Sequence, residues 1–213
     1  MEPFLYEEMV MTVSVRSFFI NYMTKMFEQG TVAGISQGYE EVNKKRGLQW
    51  EASRSVNASS VGDKFYSIIK VGSKDVDLKA RTIGATGGGA IGRAYSISDN
   101  DVALGVPDTW YNYNSKIKPT VSQPETELYS GSEITFVTPV ASLAVKANKI
   151  HADIFAVTNT QNQAKGVVFQ PFGGNHILSP NDLILLELES FDSSQTITAK
   201  LDVYEGGLDF YPM

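Results

Sequence analysis

The sequence contains no cysteine and has only two histidines, His151 and His176, among its 213 residues. The absence of thiols excludes disulfides, thiolate nucleophiles and cysteine-based zinc sites. The two histidines match no common metal-ligand spacing. His151 and Asp153 would share one face of a strand, but a zinc ion would still need a further ligand placed by the fold. The sequence therefore predicts no bound metal and no cofactor.

Recognisable catalytic motifs are also lacking. No G-x-S-x-G nucleophile elbow occurs in the chain. Glu187 and Glu189 form a carboxylate pair, but we expect both on the solvated face of one strand, whereas a glycosidase places its carboxylates across a cleft. Four acids near the end of the chain lack the spacing of an EF-hand calcium loop; they are Asp192, Asp202, Glu205 and Asp209. We therefore expect a protein that is not an enzyme.

Clusters of positive charge and long apolar runs are scarce. Lys and Arg number 18 against 24 Asp and Glu, which gives a formal net charge of −6, and the only basic run is the short stretch 44–46. A nucleic-acid groove needs clustered Lys and Arg. No apolar run approaches the roughly 20 residues that span a bilayer, and the acidic first residues do not resemble a signal peptide. We expect neither nucleic-acid nor membrane partners.

The first 46 residues differ in pattern from the rest, which predicts an N-terminal arm (1–46) and a β domain (47–213). Large apolar residues in the arm recur at spacings of three and four, which is typical of a helix. They cover more than one helix face, so the helix either caps its own domain or packs on a neighbouring subunit. The candidate assembly residues are Phe18, Phe19, Tyr22, Met23, Met26 and Phe27.

From residue 47 onward, short runs with a period of two alternate with Gly, Asn, Asp and Pro. This pattern predicts a mainly β protein, an antiparallel β-sandwich or jelly roll carrying the helical arm. In residues 76–83, Asp77, Lys79 and Arg81 are expected on the outer face. The expected strands are 65–71, 76–83, 94–97, 133–137, 151–158, 166–170, 183–189 and 196–204.

The last two of these runs are the clearest in the chain. Ile184, Leu186 and Leu188 alternate with Leu185, Glu187 and Glu189. In the second run Ile197, Ala199, Leu201 and Val203 alternate with more polar residues. A turn-like stretch, 191–195, separates the runs, so they predict one antiparallel hairpin with an inner and an outer face.

Two loops stand out as candidate sites. Residues 84–92 contain a formal G-x-G-x-x-G at Gly87, Gly89 and Gly92, but the following residues predict a strand, whereas a dinucleotide site needs a helix there. A flexible hairpin or edge loop is the favoured interpretation. The long loop 105–131 carries Trp110, Tyr111 and Tyr113, which form either a sugar-stacking platform or a self-packed or subunit contact.

The C-terminal pattern resembles capsid-associated proteins of tailed bacteriophages. The resemblance covers roughly residues 60–213 and lies in residues 178–188 (LSPNDLILLEL), 197–201 (ITAKL) and 203–209 (VYEGGLD), with 76–81 (VDLKAR) similar to an early strand of such domains. The glycine segment 84–92 and the Trp110 loop have no counterpart in it. It implies a head decoration (cement) protein or head fibre on a capsid surface, made in the host cytoplasm. It further implies a homotrimer whose partners are its own copies and the major capsid protein or another virion protein.

Two other classes of function remain open at this point. A receptor- or glycan-binding module of a phage fibre or tail tip would use Trp110, Tyr111 and Tyr113 on a surface glycan. A cupin-like jelly-roll metalloenzyme would need the metal ligands whose spacing is missing here. Binding to glycans and metal analysis distinguish these classes from a structural protein.

Overall fold

The computed structural model describes residues 44–120, 122–157 and 168–205. The chain divides into two units, Met1–Arg46 and Gly47–Met213. The predicted arm residues between Phe18 and Phe27 lie outside the described residues, so their helix and their assembly role stay predictions. The account below concerns the second unit.

Two five-stranded antiparallel sheets form the second unit, as the alternating pattern predicts. Sheet 1 has the order β10-β3-β12-β1-β6, and sheet 2 has the order β7-β2-β11-β4-β9. A two-stranded ribbon, β5-β8, and a short helix, α1, complete the unit. The elements are β1 (Gln49–Ala58), β2 (Lys64–Lys70), β3 (Val76–Ala85), β4 (Gly89–Ile97), β5 (Val102–Leu104), β6 (Tyr111–Asn112), β7 (Glu127–Ser130), β8 (Ile134–Phe136), α1 (Val140–Leu143), β9 (Ile154–Val157), β10 (Val168–Leu178), β11 (Leu183–Ser190) and β12 (Gln195–Glu205).

The strand order is that of a jelly roll. Each of the consecutive pairs β1/β2, β3/β4, β9/β10 and β11/β12 places one strand in each sheet. β12 lies between β1 and β3 in sheet 1, while β11 lies between β2 and β4 in sheet 2. The chain therefore runs as antiparallel ribbons folded over both layers of a sandwich, which confirms the predicted fold class.

The predicted terminal hairpin is wrong. β11 pairs with β2 and β4, whereas β12 pairs with β1 and β3, so the two strands never pair with each other. The connection 191–194 crosses from sheet 2 to sheet 1, with Ser194 at φ 55°. A period of two reveals which side chains share a face, but it does not reveal which strand is the neighbour.

The main core lies between the two sheets. The inward face of β11 carries Ile184, Leu186 and Leu188, as the alternation predicts. The core divides into a larger cluster around Trp50 and Trp110 and a smaller one around Ile83 and Ile197. Burial of this apolar surface is the main favourable contribution to folding of the unit.

The outer face of sheet 2 is covered by a third layer. Residues 98–153 connect β4 to β9, and within them β5, β8 and α1 form what we call the insert layer. Its Val102 and Leu143 pack with Leu185 of β11, and Phe136 meets Tyr66 edge-to-face at a centroid distance of 5.5 Å. Sheet 2 is therefore apolar on both faces over part of its area, because both faces are covered.

Candidate functional site

Trp110 does not form a ligand platform. Its side chain is 1% exposed and lies in the core cluster between the sheets. Its backbone is held by Gln123, whose Oε1 accepts from the Trp110 amide at 2.9 Å and whose Nε2 donates to the Trp110 carbonyl at 3.0 Å. The loop 105–131 was expected to lack secondary structure, but β6 and β7 in it extend the two sheets. The pairing of β6 with β1 places the indole in the core.

The side chain of Tyr111 is exposed, whereas that of Tyr113 is hydrogen-bonded to residues of sheet 1. The Tyr113 hydroxyl donates to Asp202 Oδ1 at 2.8 Å and accepts from Lys200 Nζ at 3.1 Å. Lys200 also pairs with Glu51 at 2.5 Å. Burial, assisted by the hydrogen bond to Asp202, raises the pKa of Tyr113 to about 12. The three aromatic residues therefore have three different environments and do not form one stacking surface.

The glycine segment 84–92 joins the two sheets at one corner of the sandwich. β3 and β4 lie in different sheets, so the hairpin, one of the two favoured interpretations of this segment, is wrong. The Gly88 amide donates to Asp192 Oδ2 at 2.8 Å, and Gln195 Nε2 donates to the Gly89 carbonyl at 2.7 Å. A Cβ on Gly87 would lie 2.8 Å from Asp192 Oδ2. The glycines allow this close packing against Asp192 and Gln195, where the chain crosses from β11 to β12. The segment is followed by a strand, β4, as expected, and not by the helix that a phosphate-binding loop needs.

Glu187 is buried, which contradicts its predicted place on a solvated face. It is 1% exposed and receives ion pairs from Arg93 at 2.7 Å and Lys64 at 3.1 Å. Arg93 also contacts Glu189 at 2.5 Å. Burial alone would lower the pKa of Arg93, but hydrogen bonds to Glu189 and Glu187 outweigh it and raise that pKa above its ordinary value. These four side chains bind one another across β2, β11 and β4.

The acids considered as calcium ligands serve separate local contacts. Asp192 accepts from the Gly88 amide, and Asp202 accepts from Tyr113. The Glu205 carboxylate accepts from the Glu125 amide at 2.8 Å and from the amide and hydroxyl of Thr126, both at 2.7 Å. Asp209 lies outside the described residues. Within the part of the chain that the structure describes, no group of three or more His, Asp or Glu side chains is placed to hold a metal ion.

The two histidines are not brought together as a site by the described geometry. His151 and Asp153 were expected on a strand, but both precede β9, and Asp153 pairs with Lys149 at 2.5 Å. His176 lies in β10, and its side chain is outside the described residues.

A feature that the sequence interpretation missed is a buried arginine between the sheets. The expected outer position of Arg81 is wrong: it is 5% exposed and opposite Leu201, a core residue. The register of β3 shifts between Leu78 and Ala80, opposite the step from Asp202 to Val203. A bulge of one residue reverses the alternation of every later side chain. The signal was present, since the apolar positions change from Val76 and Leu78 to Ile83 and Ala85.

Large apolar side chains are exposed at both ends of the β5-β8 ribbon. Val106 is 70% exposed, with its amide donating to Glu133 Oε2 at 2.8 Å. Val137 is 67% exposed, with its amide donating to the Asp101 carbonyl at 2.8 Å. Singly exposed apolar side chains are common on protein surfaces, and a contact surface is indicated where they belong to a larger apolar patch.

None of the helices in residues 44–120, 122–157 and 168–205 is long and apolar enough to cross a membrane. Comparison with models of known protein families finds no match to the chain, and comparison with curated proteins finds no similar sequence.

Proposed function

We propose that this protein is a non-enzymatic structural subunit of a bacteriophage particle, a head decoration or cement protein that stabilises a capsid through contacts between jelly-roll subunits. The observation that carries the proposal is the jelly-roll topology of the two sheets, together with the exposed valines Val106 and Val137 beyond the two ends of the β5-β8 ribbon. The jelly roll is one of the architectures of viral capsid domains. Because one fold serves many functions, the proposal rests on the surface as well as on the topology.

The energetics of the insert layer favour a contact role. Burying a Val side chain fully is worth roughly 1.5–3 kcal/mol relative to leaving it in water. Because Val106 and Val137 are mostly exposed in a single subunit, most of this burial free energy is not realised there. A partner that covers about 800 Å² of each subunit would recover it together with neighbouring contacts.

The polar chemistry of the described unit also fits a structural role. Glu187, Asp202 and Glu205 are each satisfied by side chains or amides of the same chain. These bonds join strands and connections across the sandwich. We expect these bonds to make the sandwich rigid, as a subunit under mechanical load in a shell requires.

The homotrimer and the capsid partner belong to the same proposal. Threefold contacts through the insert layer would leave the opposite side of the sandwich for the major capsid protein or another virion protein. The arm, with Phe18, Phe19, Tyr22, Met23, Met26 and Phe27, is proposed as a second source of assembly contacts because its apolar residues exceed one helix face.

Light scattering coupled to gel filtration tests the assembly surface. The full chain should elute as a trimer, and Val137→Lys or Val106→Lys should dissociate it while circular dichroism stays unchanged. Val61→Lys is the matched control, because Val61 is a 69% exposed valine at the corner between β1 and β2. A monomeric wild-type chain, or equal dissociation by the Val61 control, would contradict the proposal.

A chain beginning at Gly47 tests the arm separately. We expect its trimer to dissociate at lower dilution than that of the full chain, because arm contacts are lost. Unchanged assembly would remove the arm from the proposal and leave the insert layer as the contact surface.

A further inference from the structure

One edge of β1 is paired along its whole length, whereas the other is mostly open. β12 pairs with every residue of β1, from Gln49 to Ala58, without a register shift. On the other side, β6 pairs only with Trp50 and Glu51. Beyond Glu51, the part of the chain that the structure describes leaves residues 52–58 without a partner strand on that side. Sheet 1 therefore ends in an open strand edge over this length.

Backbone hydrogen bonds at the start of β1 show which of its residues face the open edge. The Gln49 carbonyl accepts from the amide of the residue after β6 at 3.1 Å, and the Leu48 carbonyl accepts from the amide of the last residue of β12 at 3.0 Å. Because this direction alternates along a strand, the odd-numbered residues of β1 face the open edge and the even-numbered ones face β12. The residues whose amides and carbonyls meet the open edge are Ser53, Ser55 and Asn57, and all three are exposed.

The open edge of β1 lacks the short length, proline, lysine or bulge with which natural sheets protect their edges. Other edge strands of the two sheets have such features. β7 and β9 are 4 residues long, and the register of β10 against β3 shifts between Pro171 and His176. The charged residue in the open part of β1, Arg54, is turned towards sheet 2, where it donates to the Tyr66 carbonyl at 2.8 Å. The backbone of β1 is therefore accessible to a further strand.

The space beside this edge suits a short peptide segment better than a second copy of β1. Pairing of two β1 strands about Ser55, the register that joins all the outward residues, places Ser59 of one copy opposite Glu51 of the other. Tyr111 of β6 already occupies that position. A strand of about five residues also covers far less than the ~800 Å² per partner that is typical of a stable interface between folded proteins. An extended segment fits the open edge, whereas a whole subunit does not.

We propose that the open edge of β1 binds an extended peptide segment of a partner protein, which adds to sheet 1 as a further antiparallel strand. Main-chain hydrogen bonds to Ser53, Ser55 and Asn57 hold the segment, and its alternate side chains give specificity. Side chains opposite Val56 face the interior beside the partly buried Phe65, so apolar residues fit there. The intervening side chains lie beside uncharged, exposed residues of β1. The segment therefore alternates apolar and neutral polar residues, and this inference does not rest on the proposed assembly role.

Titration of the full chain with synthetic peptides tests the site. The probe is a capped peptide, Thr-Val-Thr-Val-Thr, whose threonines pair with Ser53, Ser55 and Asn57 when its valines face inward. In ¹⁵N spectra, the amide signals of these three residues should shift and saturate. An N-methyl group on the central threonine removes an amide that faces β1 and should weaken binding by about tenfold or more. An N-methyl group on a valine, whose amide faces away from β1, should leave the affinity nearly unchanged.

Ser55→Pro and Ser55→Ala test the same hydrogen bond from the side of the protein. Both variants lose the 3.1 Å hydrogen bond between the hydroxyls of Ser55 and Thr198. Only Ser55→Pro also removes the outward amide, and proline is tolerated on edge strands where the amide faces solvent. With native circular dichroism, Ser55→Pro should bind the peptide about tenfold or more weakly, and Ser55→Ala should bind it as the wild type does.

Three results would overturn the proposal. They are the absence of a saturable shift in the wild-type chain, equal affinity for the two N-methylated peptides, and equal affinity of Ser55→Pro and Ser55→Ala for the unmodified peptide. The N-methylated peptides act on the unaltered chain, so the proposal stays testable even if Ser55→Pro does not fold.

Discussion

The buried carboxylate of Glu187 gives the sharpest test of the structure. In Arg93→Met the nearest cation, at 2.7 Å, is lost, and Lys64, at 3.1 Å, remains as the cation that pairs with Glu187. Breaking a buried ion pair by removing one partner typically costs about 3–5 kcal/mol, because the other charge stays desolvated. Arg93 is 22% exposed and Lys64 remains, so we expect a loss of about 2–4 kcal/mol in the free energy of unfolding.

The double variant Arg93→Met with Glu187→Met separates a lost attraction from an orphaned charge. Replacing both partners by apolar side chains of similar size removes the desolvated carboxylate, so the double variant should be more stable than Arg93→Met alone. The departure from additivity should be about 1–3 kcal/mol. Urea unfolding of the wild type, both single variants and the double variant measures it.

Lys74→Met is the matched control for this cycle. Lys74 pairs with Glu125 at 2.6 Å, but the two side chains are 49% and 44% exposed. An exposed pair is worth about 0–1 kcal/mol, so the control should lose little stability. If Arg93→Met costs no more than Lys74→Met, or if the double variant is the sum of its singles, Glu187 is not a buried charge held by this network.

Three further outcomes are expected. Trp110→Ala should destabilise the chain by about 3–5 kcal/mol in urea unfolding, as for a core residue; near-wild-type stability would contradict its burial. Gly92→Ala places a Cβ 2.3 Å from Ile83 Cδ1 and should cost about 1–3 kcal/mol, and adding Ile83→Val, which lacks that atom, should restore part of the loss. Burial and Asp202 raise the pKa of Tyr113 from 10.0 to about 12, so its contribution to stability is complete below pH 10 and lost as pH rises to 12. Tyr113→Phe should therefore lose less stability than the wild type over that interval, and parallel pH curves would contradict this.

The strands of the sandwich were largely readable from the sequence. The runs that became β2, β3, β8, β11 and β12 are close to their predicted bounds, because alternating apolar residues report a half-buried strand wherever it pairs. β1 was missed, since Arg54 and Ser53 interrupt its apolar pattern. β6 and β7 were missed because they are short edge strands within a Pro-rich segment.

The environments of individual polar and aromatic side chains were harder to predict from the sequence. The alternation with Glu189 predicts that Glu187 is solvated, but its burial depends on ion pairs with Arg93 and Lys64 from two other strands. The sequence predicts that Trp110 lies in a loop, but its burial depends on the pairing of the next two residues, β6, with β1. Such contacts join residues far apart in the chain, so no local pattern contains them.

The sequence by itself determined the mainly β class, the position of most strands and the inward faces of β11 and β12. These are local properties, because a side-chain period of two depends only on the backbone geometry of one strand. Only the tertiary structure decided that β11 and β12 lie in different sheets, and that the bulge in β3 turns Arg81 into the interior. Pairing partners and bulges are chosen by the competition among all strands for buried surface and hydrogen bonds, which is a property of the whole fold.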